Sequence, residues 1–333
     1  MAKDLNYFLS HKFKKAYLIK KKYVLLIALL DLMGGLIFFL NKLKKQPQKI
    51  NKILFIRLEH IGDMIMATPV FDNFKNNYPN CEVHVLCRDL TKSLIENNPF
   101  VYKIITYDAP WFIKSGRKDS AGFFKIIRIL RKEKYDIIFE MHGDPRNNFL
   151  AFLVGGYKLG YSCRCGGFFL NKSVNYDPKL KMIEQNLKLI ETFCEVETKK
   201  TKIFIDDKSK EKCLKLMKKY KLRKKEFVII NPKSGRKEKD LTENEVIEQI
   251  KKNNKNKIAI TGSSDENEFN KKFESFANVV NITGKTDLLT LTELVKSAKK
   301  VIAPDTGIVH IAHAVETDCE AVYKTTDKNV WGY

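Results

Sequence analysis

The chain has 333 residues, 44% of them apolar, and a formal net charge of +22. That length exceeds the usual single core, so two domains are expected, and the apolar share is enough to bury a core in each. Seven cysteines, odd in number and without a C-x-x-C pair, exclude a disulfide framework and point to reduced thiols in a cytosolic protein; Cys163 and Cys165 have no local partners for zinc.

The charge is concentrated at the start. Residues 1–52 carry twelve lysines against Asp4 and Asp31, a balance of +10, and such a field favours an anionic partner. Within this arm, "YVLLIALLDLMGGLIFFL" (23–40) is an 18-residue apolar run interrupted by Asp31 and flanked by "KKK" and "NKLKK". It is barely long enough to span a bilayer, and Asp31 makes spanning costly. No small-residue cleavage site follows, so it does not read as a signal peptide. The reading is a helix lying in or dipping into a membrane leaflet, held by lysines at both ends. Residues 1–48 are thus set apart as an attachment segment, with a helix packed on the globular part as the alternative.

After the linker "KKQPQKIN", short runs rich in β-branched residues alternate with helical stretches: 52–58, 82–87, 102–108 and 135–141. This is the pattern of parallel α/β layering. A less regular region follows to about residue 205, with one long amphipathic helix over 181–195. A second series of strands is predicted at 226–232, 257–263, 279–283, 300–305 and 320–327. The expected architecture is two Rossmann-like domains, 49–205 and 206–333, facing across a cleft, with ligands beyond the carboxyl ends of the strands.

Several nucleotide signatures are absent. There is no G-x-G-x-x-G, the "GKT" at 284–286 lacks the first glycine of a P-loop because position 279 is Val279, and no D-x-D is present to hold a metal-bridged diphosphate. Three strand-end loops carry the chemistry instead. In "RLEHIGDMIMATP", Gly62 permits a tight turn and Asp63 opens a helix, where an N-cap is the plainer reading of an acid and a cleft carboxylate able to take a proton is the functional one; spacing does not separate them. In "NPKSGRKEKDLTENE", Lys233, Arg236, Lys237 and Lys239 surround a glycine-containing loop before a helix starting near Thr242, which suits a phosphate held without a metal. A solvated basic turn is the plain alternative. In "KVIAPDTGIVHIAHA", Thr306 and Gly307 fall at a helix N-terminus, where free amides and the helix dipole favour anions. Asp305 reads as a cap or a contact to ligand hydroxyls, and His310 lies one turn from Thr306 on the same face. His313 is given no role.

From about residue 52 to 333 the chain resembles glycosyltransferase family 9, the bacterial heptosyltransferase-type enzymes of lipopolysaccharide core assembly. The resemblance is carried in the family's order by "ILFIRLEHIGDMIMATPVFDNFKNNYP", "GGYKLGY", "NPKSGRKEKDLTENE", "ITGSSDENE", "NITGKTDLLTLTELVKSAKKVIAPDTGIVHIAHA" and "TTDKNVWGY". It implies a GT-B fold, an acceptor-binding N-terminal domain, a donor-binding C-terminal domain and metal-independent inverting sugar transfer without a cofactor. Asp63 matches the family's general base, and Lys239 the lysine that contacts donor phosphate, although "KDLT" lacks the family's Trp and Pro. Asp305, Thr306, Gly307 and His310 match the D-T-G-x-x-H donor site. Among Asp265, Glu266 and Glu268, Glu266 is the choice for the acid near the ribose, and Ser234 joins the donor set, with Gly62, Lys233 and Arg236 supporting the phosphate.

The implied donor is a nucleotide-sugar such as ADP-heptose. The implied acceptor is a lipid-linked saccharide, met by a cytoplasmic enzyme held on the anionic inner membrane. Family members usually continue past "WGY" with a helix, so one is expected to be missing after Tyr333. The alternatives are transfer of another sugar, such as an N-acetylhexosamine, to a surface polysaccharide, or a non-catalytic membrane-surface protein on a degenerate GT-B scaffold. Nucleic acid is not an expected partner, because aromatic residues are not interleaved with the basic runs.

Overall fold

The computed structural model describes residues 23–113 and 120–332; the basic arm before Tyr23, with the lysines expected to flank the apolar run on that side, lies outside the described residues, as does Tyr333. The chain divides into two compact units. The first comprises the chain up to Glu59, Pro69–Lys92 and Pro99–Lys199; the second comprises His60–Thr68, Ser93–Asn98 and the chain from Lys200 onward.

The first unit is built on six strands: β1 (Lys52–Arg57), β2 (Glu82–Cys87), β3 (Lys103–Thr106), β4 (Ile137–Glu140), β5 (Tyr157–Tyr161) and β6 (Lys172–Val174). All pair in parallel, in the order β3-β2-β1-β4-β5-β6. Strands β1 and β4 are central, and their apolar residues are fully buried on both faces, which is why they read as unbroken apolar runs. The helices are α1 (Val24–Ile37), α2 (Ile61–Asn77), α3 (Asp89–Lys92), α4 (Ser120–Glu133), α5 (Pro145–Val154) and α6 (Met182–Lys188). Helix α2 starts in the second unit and passes into the first at Pro69.

The region read as irregular contains β5 and β6. Their pattern is hidden because "YKLGY" places a lysine on a buried strand: Lys158 is 4% exposed, and burial first, then the neighbouring Lys44, pushes its pKa down to about 8. The helix expected over 181–195 ends at Lys188.

Helix α1 rests against this unit along one stripe. Asp31 Oδ1 accepts hydrogen bonds from the Gly166 amide (3.0 Å) and the Cys165 thiol (3.3 Å). Beyond the helix, Lys42 Nζ donates to the carbonyls of Gly167 (2.8 Å) and Leu170 (2.7 Å). The Phe38 ring meets Phe152, Phe168 and Phe169 at centroid distances of 5.3, 5.6 and 5.1 Å. A side chain at Gly34 would overlap the Phe168 ring. The apolar part of the segment set apart by sequence is therefore seated on the first unit.

The second unit has β7 (Phe227–Ile230), β8 (Lys257–Ile260), β9 (Val279–Asn281), β10 (Lys300–Pro304) and β11 (Asp318–Val322), parallel in the order β11-β10-β7-β8-β9. Strand β11 lies earlier than the expected 320–327. The helices are α7 (Asp207–Lys219), α8 (Glu243–Lys252), α9 (Asn267–Lys271), α10 (Leu288–Ser297), α11 (Gly307–Ala314) and α12 (Lys328–Trp331). Helix α8 begins where expected, with a reciprocal capping box between Thr242 and Glu245.

All seven cysteines are free thiols, six of them buried and Cys319 half-buried. Burial pushes the pKa of Cys81 up to about 11 and those of Cys87, Cys163, Cys194, Cys213 and Cys319 up to about 12.

Candidate active site

In each sheet the strand order reverses at one point, between β1 and β4 in the first unit and between β7 and β10 in the second. Connections there leave in opposite directions and open a crevice at the carboxyl ends. The charged residues of interest gather at these two points.

In the second unit, the loop after β7 delivers Lys239 and the end of β10 delivers Asp305. Lys239 Nζ is 2.8 Å from Asp305 Oδ2 and 3.3 Å from the Asp305 carbonyl oxygen. Thr326 donates its hydroxyl to the same Oδ2 at 2.6 Å, and His310 Nε2 is 3.9 Å from Oδ1. Burial works to raise the Asp305 pKa, but the hydrogen bonds from Lys239 and Thr326 outweigh it and hold the carboxyl below its ordinary value. Burial lowers the pKa of His310, against the pull of Asp305 and Asp63. Thr306 precedes α11 in an extended conformation (φ −152°), and its side chain does not cap the helix. The first amides of α11 lack intrahelical partners, as at any helix start, and lie at the end of β10.

Residues 60–68 belong to this unit and meet α11. A Cβ on Gly62 would lie 2.7 Å from His310 Nε2, and one on Gly307 would lie 2.9 Å from Ile61 Cγ2. Both glycines are needed for close approach within the protein. Asp63 is the third residue of α2 rather than its cap; its Oδ2 accepts from the His60 amide at 3.1 Å. The carboxylate thus helps close the helix start, and its charge also acts on His310.

The other loop cations are arranged differently. Asp240 draws the loop together: it accepts from the Ser234 amide (2.8 Å) and hydroxyl (3.1 Å) and lies 3.4 Å from Lys233 Nζ. Lys233 also sits 3.8 Å above the Phe269 ring. Arg236 is exposed, with its amide donating to Ser234 Oγ. Of the four loop cations, Lys239 is the one placed on Asp305. Glu266 folds back to accept from the Ser263 amide at 3.0 Å and is half-buried, and burial raises its pKa. Asp265 and Glu268 are exposed.

Sequence reasoning missed Thr326, although it lies in the quoted "TTDKNVWGY", and it missed the charged cluster at the first unit's reversal point. There Glu59, after β1, lies 3.2 Å from His142 Nδ1 and 3.3 Å from Arg57 Nε. Glu140, at the end of β4, accepts from the amides of His142 and Gly143 and from Asn147. Complete burial outweighs those donors and pushes its pKa up to about 7. The acid followed by "MHGD" at the end of an apolar strand was the available signal. Nearby, a cavity of about 430 Å³ opens among Tyr107, Trp111, Phe123, Phe149 and Arg146. Among the described residues no three His, Cys, Asp or Glu side chains gather as a metal-ion site.

Two Rossmann-like units with parallel sheets, each carrying polar residues at its reversal point, define the GT-B class of glycosyltransferase folds. The chain belongs to glycosyltransferase family 9 (heptosyltransferase), whose match covers residues 123–333. It is 33% identical over 84 residues to lipopolysaccharide heptosyltransferase 3 of Escherichia coli, a stretch covering 24% of this chain and 23% of that protein. In fold it is similar to a family 9 glycosyltransferase from Veillonella parvula (TM-score 0.75, 18% identity, 87% of this chain and 86% of that one). It is also similar to E. coli ADP-heptose LPS heptosyltransferase II (TM-score 0.68, 18% identity, 84% and 86%). A third similar fold is that of the E. coli heptosyltransferase WaaC with ADP-2-deoxy-2-fluoro heptose (TM-score 0.68, 18% identity, 83% and 90%).

Proposed function

We propose that the protein transfers a heptose or related sugar, with inversion and without a metal, from a nucleotide-sugar to a lipopolysaccharide core or similar glycolipid. The observation that carries this reading is the buried Lys239–Asp305–His310 constellation beside the α11 N-terminus, with Asp63 next to it. In this scheme the donor diphosphate lies at the amides of Gly307 and Ile308, with Lys239 held by Asp305 to supply positive charge. Glu266 meets the ribose, and Ser234, Lys233 and Arg236 shape the loop beneath the phosphates. The first unit holds the acceptor saccharide.

Asp63 takes the proton of the acceptor hydroxyl as its oxygen forms a bond to the anomeric carbon. The bond from that carbon to the diphosphate oxygen breaks, and the electron pair leaves with the nucleoside diphosphate. The charge that grows there is met by fixed amides and Lys239, a preorganised stabilisation that needs no solvent reorganisation. ADP-heptose is the favoured donor, supported by the names of similar proteins. The excess of lysines in residues 1–52 favours work at an anionic membrane surface on the cytoplasmic side.

A thermal-shift screen of ADP-, UDP-, GDP- and CMP-sugars tests the donor, with ADP-heptose expected to give the largest rise. Transfer to a Kdo- or heptose-bearing lipid is expected to persist in EDTA. No shift with any nucleotide-sugar would remove the donor site, and loss of turnover on chelation would remove the metal-free scheme.

A further inference from the structure

The apolar run at 23–40 contains an aspartate, which makes crossing a bilayer costly, and the placed helix shows where that carboxylate goes. The residues of α1 that are buried or half-buried are Val24, Ile27, Ala28, Asp31 and Gly34, followed by Phe38 just beyond its end. Their spacing of three and four residues is one face of a helix. That face is the one seated on the first unit, so Asp31 points into protein and is met by the Gly166 amide and the Cys165 thiol. Gly166 has φ 81°, a conformation open to glycine, which presents its amide to the carboxylate.

Every exposed position from Leu25 to Leu40 is apolar, Gly35 included, and the most open of the large side chains are Leu36 at 70% and Ile37 at 69%. A helix with one polar residue turned inward and hydrophobes over the rest of its surface is unlike the polar face expected in water. Its 14 residues extend about 21 Å, short of a roughly 30 Å hydrocarbon core, and no helix among the described residues is long and apolar enough to cross a membrane. Exposed Lys42, Lys44, Lys45 and Lys49 follow the band.

We infer that α1 is a lipid-facing helix built into the first unit: its outer band enters one leaflet of an anionic bilayer, and Asp31, Lys42 and Phe38 fix its orientation. The inference deepens the membrane-surface part of the proposed function and does not depend on the transfer chemistry. The alternative occupant of the band is a second copy of the chain. Charge favours the bilayer, because the +10 of residues 1–52 is repelled by its own copy and attracted to anionic headgroups.

The test uses the full chain with vesicles of phosphatidylethanolamine and phosphatidylglycerol. The double variant Leu36→Glu, Ile37→Glu changes two positions that touch little protein, so its thermal unfolding should match that of the wild type. Wild type is expected to sediment with vesicles and to remain largely bound in 0.5 M NaCl, where charge attraction is screened; the variant should lose at least tenfold in binding. Failure of wild type to bind any vesicle overturns both the membrane reading and this inference. Equal binding by the variant overturns the inference alone, and release of both proteins by salt would then assign attachment to charge. A wild-type dimer in sedimentation velocity that becomes a monomer in the variant, without vesicle binding, assigns the band to a second copy.

Discussion

The Lys239 ammonium and the Asp305 carboxylate form a 2.8 Å ion pair in which the side chains are 13% and 5% exposed. Breaking such a pair from one side leaves a buried charge without its counter-ion, which costs far more than the pair itself contributes. Lys239→Met is therefore expected to lower unfolding free energy by about 3 kcal/mol, moderated by the remaining Thr326 bond. The double variant Lys239→Met, Asp305→Asn should regain much of that loss. Denaturant titration of wild type, both single variants and the double variant checks this; equal losses in the single and double variants would place the cost elsewhere.

Asp63 has a structural task at the start of α2 and a proposed chemical one, and Asn separates them. An Asn oxygen can still accept from the His60 amide. Folding and donor binding of Asp63→Asn are expected to persist while transfer falls by roughly two to four orders of magnitude, the usual range for a lost acid or base. A rate assay at saturating donor decides; a near wild-type rate leaves the carboxylate with its structural task alone.

Gly62 and Gly307 are expected to be intolerant of substitution for an internal reason. Adding one methyl at Gly62 drives it onto the His310 ring, and adding one at Gly307 drives it onto Ile61. Each alanine variant should lose about 1–3 kcal/mol, the range for overpacking. Gly62→Ala should also shift the imidazole NMR signals of His310. Unchanged melting and unchanged His310 signals would show that the two segments part easily.

Glu140 links stability to pH. Its folded pKa of about 7 is above the ordinary 4.5, so its contribution is fully present below the unfolded value and is lost as pH rises through 7. Glu140→Gln removes the titration and should flatten stability between pH 5 and 8, leaving wild type relatively worse at pH 8 by on the order of 1–3 kcal/mol. Melting curves of both proteins across that range provide the check.

Most strands were legible because parallel strands buried on both faces are written as unbroken apolar runs, as in "ILFI" and "VIAP". Strand β5 escaped because Lys158 interrupts it; a buried lysine stem looks like surface in a hydropathy reading. Candidate residues close to glycines at strand ends, such as Asp63 and Asp305, stood out by position. What the sequence could not display is pairing across chain distance: the join of Lys239 to Asp305, of Thr326 to the same carboxylate, and of Glu59 to His142 each depends on sheet order. The direction of Asp31 was hidden for a related reason, since a helical stripe has no inside until something is packed against it.

The buried thiols described above give the molecule a built-in reporter. Burial raises these pKa values to about 12, against about 8.5 in an unfolded chain, and shields the sulfurs from reagent, so at pH 8 far fewer native than unfolded thiols are reactive thiolates. An alkylating reagent applied as a short pulse would therefore mark unfolded molecules and pass over native ones. Cys87 and Cys194 report on the first unit, and Cys213 on the second. Peptide mapping after the pulse would show which half of the chain opens first, with no substrate and no assay of transfer.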